Sequence, residues 1–487
     1  MGSSGSGKTA LVAGGGISGL LAARELSAAG YSVTVLEASG TWGGCVGSHV
    51  VAGLTLDSGA ESFATRSTAV GDLAAELGLA EKIVAPRPGG AWVQLPGGPR
   101  ELPKTGVLGI PANPWDPEVR RSLGFLGSLR ASLDKYLPAS LGTSDEVTSV
   151  ASLVRARMGR RVLDRLVAPV VGGVHSADPG LLDVDMVAPG LRAGLRRHGS
   201  LAAAVGAQRR GNAAPPADAP ASPPIAPPAI SKAGSAVAGL EGGMHTLIAA
   251  LLGDLRGRGV TLLDSSRADA VARTPEGWRV TAEHETYDAG LLVVALDGPA
   301  AVGLLEEAVP GLAGKRPETG PDVRLVTLVV DVPELDRRPR GTGVLVAPQT
   351  PDIEAKALTH ATAKWEWLAA AAGPGTHVLR LSYGRIDGSA SVTPGPSTDN
   401  ELLAASLRDA SALLDIPIDV EDLVGWDVIR WQGALPFAAV GHKARVAEVR
   451  EACAGAGRLG VVGGWVAGNG LAAVVADTRD QIRQLLS

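Results

Sequence analysis

At 487 residues the chain is long enough for two or three domains and for a sizeable core without disulfides or a structural metal. Its 45 Lys+Arg against 50 Asp+Glu leave a formal charge of −5 with no block of like charge, which argues against nucleic acid as the main partner and for a small-molecule ligand. Cys45 and Cys453 are too few for a disulfide framework or a zinc site, no secretory leader is legible, and no apolar run approaches the ~18 residues of a membrane span. The expectation is a cytoplasmic protein without a metal, with peripheral membrane contact left open.

Residues 1–8 read as a leader or tag. Gly2–Thr9 spells G-x-x-x-x-G-K-T, yet nothing precedes it and a strand follows, the reverse of the order that a phosphate loop needs. Ala10–Ala13 predicts a buried strand, Gly14–Gly19 a glycine turn, Leu20–Ala29 a helix ending at Gly30, and Tyr31–Leu36 a β-branched strand closed by Glu37 and Ala38. That is one βαβ unit, and Gly14-Gly15-Gly16-Ile17-Ser18-Gly19 is its G-x-G-x-x-G. Gly14 permits the turn, Gly16 lets backbone approach a pyrophosphate, and Gly19 lets helix and strand pack tightly. Glu37, 18 residues after Gly19, suits a ribose diol. The competing reading is a tight βα turn with a surface glutamate.

Gly43-Gly44 and Asp57-Ser58-Gly59-Ala60-Glu61-Ser62-Phe63 follow, an extension that a nicotinamide enzyme does not need. Thr68–Leu77 predicts a helix; from Pro86 to Pro117 prolines and glycines recur too often for long elements; Arg120–Leu137 and Val147–Val170 have helical periodicity. Residues 211–233, rich in Pro and Ala, predict a flexible loop. Beyond it come a helix at Leu247–Arg258, strands at Val260–Asp264, Ala268–Arg273, Trp278–Thr281, Leu291–Leu296, Arg324–Asp331, Gly343–Val346, Val378–Tyr383 and Leu459–Val462, a glycine turn, and a final helix Leu471–Leu486.

Several segments in order resemble the protoporphyrinogen/coproporphyrinogen oxidase family, within the superfamily of FAD-dependent amine oxidases. Glu37-Ala38 followed by Gly43-Gly44, then Gly59–Phe63 with Arg66, is similar to that family's cofactor-binding stretches. So are Leu102–Pro111, Pro169–His175, Gly239–Met244, Arg430-Trp431 through Gly441-His442, and the glycines of 463–470. The chain departs from the pattern at Thr41 (usually Arg), His175 (Tyr), Phe437-Ala438 (Gln-Tyr) and Gly464 (an acid or amide), and it lacks the usual P-x-C after the last turn.

The resemblance implies an α/β fold: a Rossmann-like FAD domain from 9–84, 234–300 and 440–487, a mostly helical insertion at 85–210, and a substrate-binding antiparallel sheet at 301–439. It implies that FAD contacts Gly14, Gly16, Ile17, Ser18, Gly19, Glu37, Ala38, Gly43, Gly44, Gly59, Ala60, Glu61, Ser62, Ala268, Gly463, Gly464, Gly470 and Leu471. No protein residue is expected to be catalytic, because flavin N5 takes the hydride; His175 and His442 are expected to be structural. The implied reaction is oxygen-dependent conversion of coproporphyrinogen III to coproporphyrin III, with protoporphyrinogen IX oxidation, flavin amine oxidation using Trp365, Trp367, Trp431 or Trp465, or an inactive flavin-binding protein as alternatives. The insertion and the sheet should wall a substrate cavity, with Arg66 meeting a carboxylate at its mouth. Gly172 and Gly173 would keep one wall thin, or else cap a helix.

Overall fold

The structure is a computed structural model and describes residues 8–104, 106–144, 148–211, 237–386, 396–433 and 435–487. Residues 1–7 of the expected leader, 212–233 of the expected loop and 234–236 of the expected FAD domain lie outside the described residues; Gly211 instead ends the helix Leu201–Gly211.

Five parallel strands form one sheet, in the order Thr261–Leu263, Ser32–Leu36, Thr9–Ala13, Leu291–Val294, Leu459–Val461. Both faces are covered, so these strands carry apolar residues on both faces rather than alternating, with the polar Thr9, Ser32 and Thr261 at exposed strand starts. Ala10, Val12, Val33, Val35, Leu291 and Val293 pack beneath the helices Ile17–Ala28, His245–Gly257 and Leu471–Leu486. Leu11, Leu292 and Val294 pack against the three-stranded meander Ala268–Arg273, Trp278–Ala282, Glu285–Ala289 and the helix His442–Ala456. Full burial of each such Leu or Val contributes about 1.5–3 kcal/mol.

A second sheet has seven strands, in the order Leu423–Trp431, Val323–Asp331, Thr376–Tyr383, Ala357–His360, Gly343–Val346, Trp92–Leu95, Gly98–Glu101, with only Gly343–Val346 and Trp92–Leu95 parallel. One face (Val326, Leu328, Leu358, Leu379, Leu381) is sealed by the helix Asp399–Leu414. The hairpin 92–101 falls in the stretch that the sequence assigns to the helical insertion; its prolines and glycines limit it to four-residue strands, which still find an edge to join.

The remaining unit is helical and surrounds Ile110, Leu153, Leu166, Val171 and Leu195. The predicted helix near 120–137 is Pro117–Ser132, kinked at Gly124 (φ 70°), followed by a 3₁₀ turn to Tyr136. Arg157 is fully buried there, but Asp134 Oδ1 at 2.6 Å and the Pro138 and Asp134 carbonyls, both at 2.7 Å, accept its protons. No helix among the described residues is long and apolar enough to cross a membrane.

Candidate functional site

The N-terminal glycine turn is built as its spacing requires. Gly14 has φ 108° and its amide donates to the Leu36 carbonyl at 2.8 Å. A Cβ on Gly19 would sit 1.9 Å from the Gly14 carbonyl oxygen, so no larger residue fits. A Cβ on Gly16 would meet nothing within 4 Å. Gly16 starts the helix Ile17–Ala28, which has no side-chain cap and no acid in its first turn. An N-terminus with free amides, partial positive charge and a bare approach is a phosphate cradle.

Glu37 stands at the mouth of that turn. Its Oε2 accepts from the Gly15 amide at 2.7 Å, while Oε1 accepts from the Ser39 amide at 2.8 Å and the Ser39 hydroxyl at 2.7 Å. A carboxylate offers about four acceptor sites, so room remains for a hydroxyl donor. The Ser39 hydroxyl can turn to the Thr41 carbonyl, 2.8 Å away, and free another. Ala38 is exposed beside it. The Trp42 ring lies so close to Gly15 that a Cβ there would be 2.5 Å from Cε3; sequence reasoning passed over this tryptophan.

The extension after Glu37 folds back onto the turn. The Gly43 amide donates to the Gly15 carbonyl at 2.9 Å, and a Cβ on Gly44 would lie 3.3 Å from Gly16 Cα. The Ala60 amide donates to the Cys45 carbonyl at 2.8 Å, and a Cβ on Gly59 would lie 2.2 Å from that oxygen. Asp57 caps the helix His245–Gly257, accepting from the Met244 amide at 2.9 Å and the His245 amide at 3.0 Å. Ser62 is half-buried beside Phe63.

Glu61 reaches away from the turn to the second sheet. Its carboxylate pairs with Lys364 at 2.5 Å and Arg380 at 3.3 Å, and Arg380 also donates to the Gly59 carbonyl at 2.8 Å. Burial pushes the Glu61 carboxyl up, but the two cations outweigh it and hold it at about 2. Neither Lys364 nor Arg380 was foreseen. The only signal for Arg380 was alternation: Leu379, Leu381 and Tyr383 face the helix, leaving Arg380 and Ser382 for the opposite face.

The C-terminal turn converges on the same place. A Cβ on Gly463 (φ 122°) would lie 3.6 Å from Ser18 Oγ. Gly464 opens the short helix Gly464–Ala467, and Gly470 (φ 113°) precedes Leu471, first residue of the last helix, whose opening amides have no intrahelical acceptor. His442 Nε2 bonds to the Trp465 carbonyl at 2.6 Å, so this histidine is structural. Asn469 Nδ2 lies 3.2 Å from the Val174 carbonyl and 3.4 Å from His175 Nδ1, and burial depresses His175 to about 4.

His175 ends the helix Ala168–His175, whose left-handed cap is Ser176 (φ 54°). Gly172 and Gly173 are therefore inside the helix, and the capping alternative is set aside. A Cβ on Gly173 would be 2.7 Å from Leu345 Cδ2, and one on Gly172 3.4 Å from Arg385 Nε. They bring the helix flush onto the second sheet. Leu325, Ala357, Thr359, Ser382 and Ile429 share the sheet face with Arg380 and stay half-exposed, whereas the opposite face is sealed. Trp431, on that open face, donates from Nε1 to the Ser58 carbonyl at 2.9 Å. Arg66 is exposed beyond the strand Phe63–Ala64, and Ala268 starts the meander beside a β-bulge.

Residues 17–477 match the model of the flavin containing amine oxidoreductases. The chain belongs to that family. It is an FAD-dependent oxidoreductase. Coproporphyrinogen III oxidase of Mycobacterium leprae is 29% identical over 444 residues, spanning 90% of each chain. That of Propionibacterium freudenreichii is 29% identical over 494 residues, spanning 98% of this chain and 90% of its own. Among solved structures, a proposed protoporphyrinogen oxidase from Exiguobacterium sp. 255-15 superposes with a TM-score of 0.76 at 24% identity, covering 100% of this chain and 99% of the other. It shares the fold. For this flavoprotein, the bare helix start at Gly16, the spare acceptor capacity of Glu37 and the open amides after Gly470 fit an FAD molecule.

Proposed function

We propose that this flavoenzyme oxidises coproporphyrinogen III to coproporphyrin III, removing six electrons and six protons in three rounds, each returning one O2 as hydrogen peroxide. The observation that carries the reading is the set of relatives named coproporphyrinogen III oxidase, which the chain matches over 90% or more of its length and of theirs. Bound FAD supplies the hydride acceptor. Gly14, Gly16, Ile17, Ser18 and Gly19 hold its pyrophosphate, and Glu37 and Ala38 its adenosine ribose. Gly43, Gly44 and Gly59–Ser62 line its length, and the Ala268 backbone lies near adenine. Gly463, Gly464, Gly470 and Leu471 face the isoalloxazine, where a helix start favours negative charge. The domain plan is the one read from the sequence, with the hairpin 92–101 added to the sheet domain.

The macrocycle would lie between the insertion and the open sheet face, with Leu325, Leu345 and Ile429 against its rings and Arg66 at a carboxylate. The aromatic cage of an amine oxidase has less support: Trp365 and Trp465 are 4% exposed and sit in core clusters. Peripheral membrane contact by a cytoplasmic protein is supported by Phe125, Leu126, Leu129, Leu133 and Tyr136, 44–73% exposed along one stretch, with Arg120, Arg121, Arg130 and Lys135 around them.

The test is aerobic turnover of coproporphyrinogen III and protoporphyrinogen IX by FAD-loaded protein, following product fluorescence and subtracting autoxidation. A tenfold or greater preference in kcat/KM for the four-carboxylate substrate is expected, about 1.4 kcal/mol. Preference for protoporphyrinogen IX overturns the substrate, and turnover of neither supports the inactive flavoprotein.

A further inference from the structure

A recess of about 270 Å³ opens where the hairpin 92–101 meets the helix Pro117–Ser132 and the π-helical turn Leu163–Val167, away from the glycine turns. Arg100, Arg121 and Arg165 line it, together with one carboxylate, Asp164. That carboxylate already accepts from Arg160 Nε at 3.1 Å. The four charged residues that line the recess sum to +2. Arg165 and Arg100 are each anchored by one bond to a backbone carbonyl, Ser122 at 2.9 Å and Pro99 at 2.8 Å, which leaves most of each guanidinium fork free. Arg121 has no hydrogen bond or ion pair to any described residue, and Ser122, a lining residue only 2% exposed, has a buried hydroxyl without a partner among the described residues.

Three guanidinium groups gathered in one recess repel one another, and a buried hydroxyl without a partner is left with its desolvation uncompensated. A small oxyanion relieves both. Guanidinium forks suit tetrahedral oxygens, a recess concentrates their field, and the volume is too small for a dinucleotide or a tetrapyrrole. We propose that this recess binds a phosphate-class dianion, free or as the end of a phosphate monoester. Its occupancy would brace the hairpin of the sheet against the helical insertion. The site is independent of the substrate assignment.

The experiment titrates FAD-loaded, full-length protein with inorganic phosphate at fixed ionic strength, balanced with chloride, by calorimetry and by melting temperature. Saturable binding is expected, weakened about tenfold in Arg121→Gln and about threefold in Ser122→Ala, with the wild-type melting temperature in the absence of phosphate. Arg121 is exposed and holds nothing else, so its variant should fold. Tighter binding of glycerol 3-phosphate than of phosphate supports a monoester; the reverse supports the free ion. Absence of saturation, affinities unchanged in both variants, or equal affinity for succinate overturns the proposal.

Discussion

Among the described residues, Glu61 is the carboxylate that joins the loop 57–62 to the open sheet face, so replacing it with glutamine probes how the two halves are held together. Its carboxyl falls from an ordinary 4.5 to about 2 because Lys364 and Arg380 outweigh the cost of burial. At 1.36 kcal/mol per unit, that difference corresponds to about 3 kcal/mol at neutral pH. All three side chains are 13–15% exposed, so solvent screens the pairs little. Removing only the carboxylate leaves two buried cations unpaired, for which about 3–5 kcal/mol is typical. With an unfolding entropy of about 2.1 cal/mol/K per residue, a chain this long loses about 1 °C per kcal/mol, so Glu61→Gln should melt about 3–5 °C lower. A depressed carboxyl stabilises the fold above its unfolded pKa and stops doing so as the pH falls through its folded value. The gap between wild type and variant, followed by calorimetry, should therefore be full at pH 7 and shrink from about pH 4.5 towards pH 2. Lys364→Met added to Glu61→Gln should recover part of the loss. A gap below 1 °C at pH 7, or one that does not narrow in acid, refutes the reasoning.

Gly16→Val should fold, since nothing stands where its side chain would go, but purify without flavin absorbance; Gly19→Ala, 1.9 Å from the Gly14 oxygen, should fail to give soluble protein. Glu37→Ala should weaken FAD retention about tenfold in equilibrium dialysis, the cost of an unmatched ribose diol. His360 is fully buried, and burial, followed by His377 and Arg338, depresses it to about 3, so the fold should lose stability as the pH drops from 6.5 towards 3; His360→Gln should flatten that part of a melting-temperature profile. Arg66→Ala should raise KM for coproporphyrinogen III more than it lowers kcat at low ionic strength, as expected of a peripheral charge contact.

The parts of the fold that periodicity and glycine chemistry specify locally were legible. The strand–turn–helix–strand at 9–36 matches its expected bounds closely, and the final helix runs Leu471–Leu486 as predicted. What escaped was set by partners distant in sequence. The 16-residue helix Asp399–Leu414 was overlooked although Thr398 and Glu401 form a capping box, a signal present in the sequence. The strand Leu423–Trp431 reads poorly alone because Trp426, Asp427 and Arg430 break its pattern; it is held by pairing with Val323–Asp331 over its whole length. At the site, Gly14, Gly19, Gly43 and Gly59 were legible because a Cβ at each would run into a carbonyl oxygen. Lys364, Arg380 and Asn469 were not, because each acts through a partner about 300 residues away.

The two departures at Thr41 and Gly464 carry different weights in this geometry. Thr41 is exposed, and its carbonyl takes the Ser39 hydroxyl that otherwise bonds Glu37, so the loop orients the carboxylate proposed to bind the ribose rather than adding a charge of its own. An exposed arginine there would contribute about 0–1 kcal/mol. A source of positive potential lies elsewhere, in the uncapped helix start at Gly16, whose first turn holds no acidic residue. Gly464 faces Pro436, whose ring is 3.7 Å from where a Cβ would be, so the space of the missing side chain is partly filled from the segment carrying Phe437 and Ala438, another departure. Proline offers no donor, so any hydrogen bond made by an amide or acid at 464 is not replaced. The amides of Gly470 and Leu471 are backbone groups that no substitution at 41 or 464 removes, and the proposed charge stabilisation at the flavin rests on them. Side-chain divergence at these two positions therefore bears on cofactor affinity and redox tuning more than on whether the cofactor can be held and reduced.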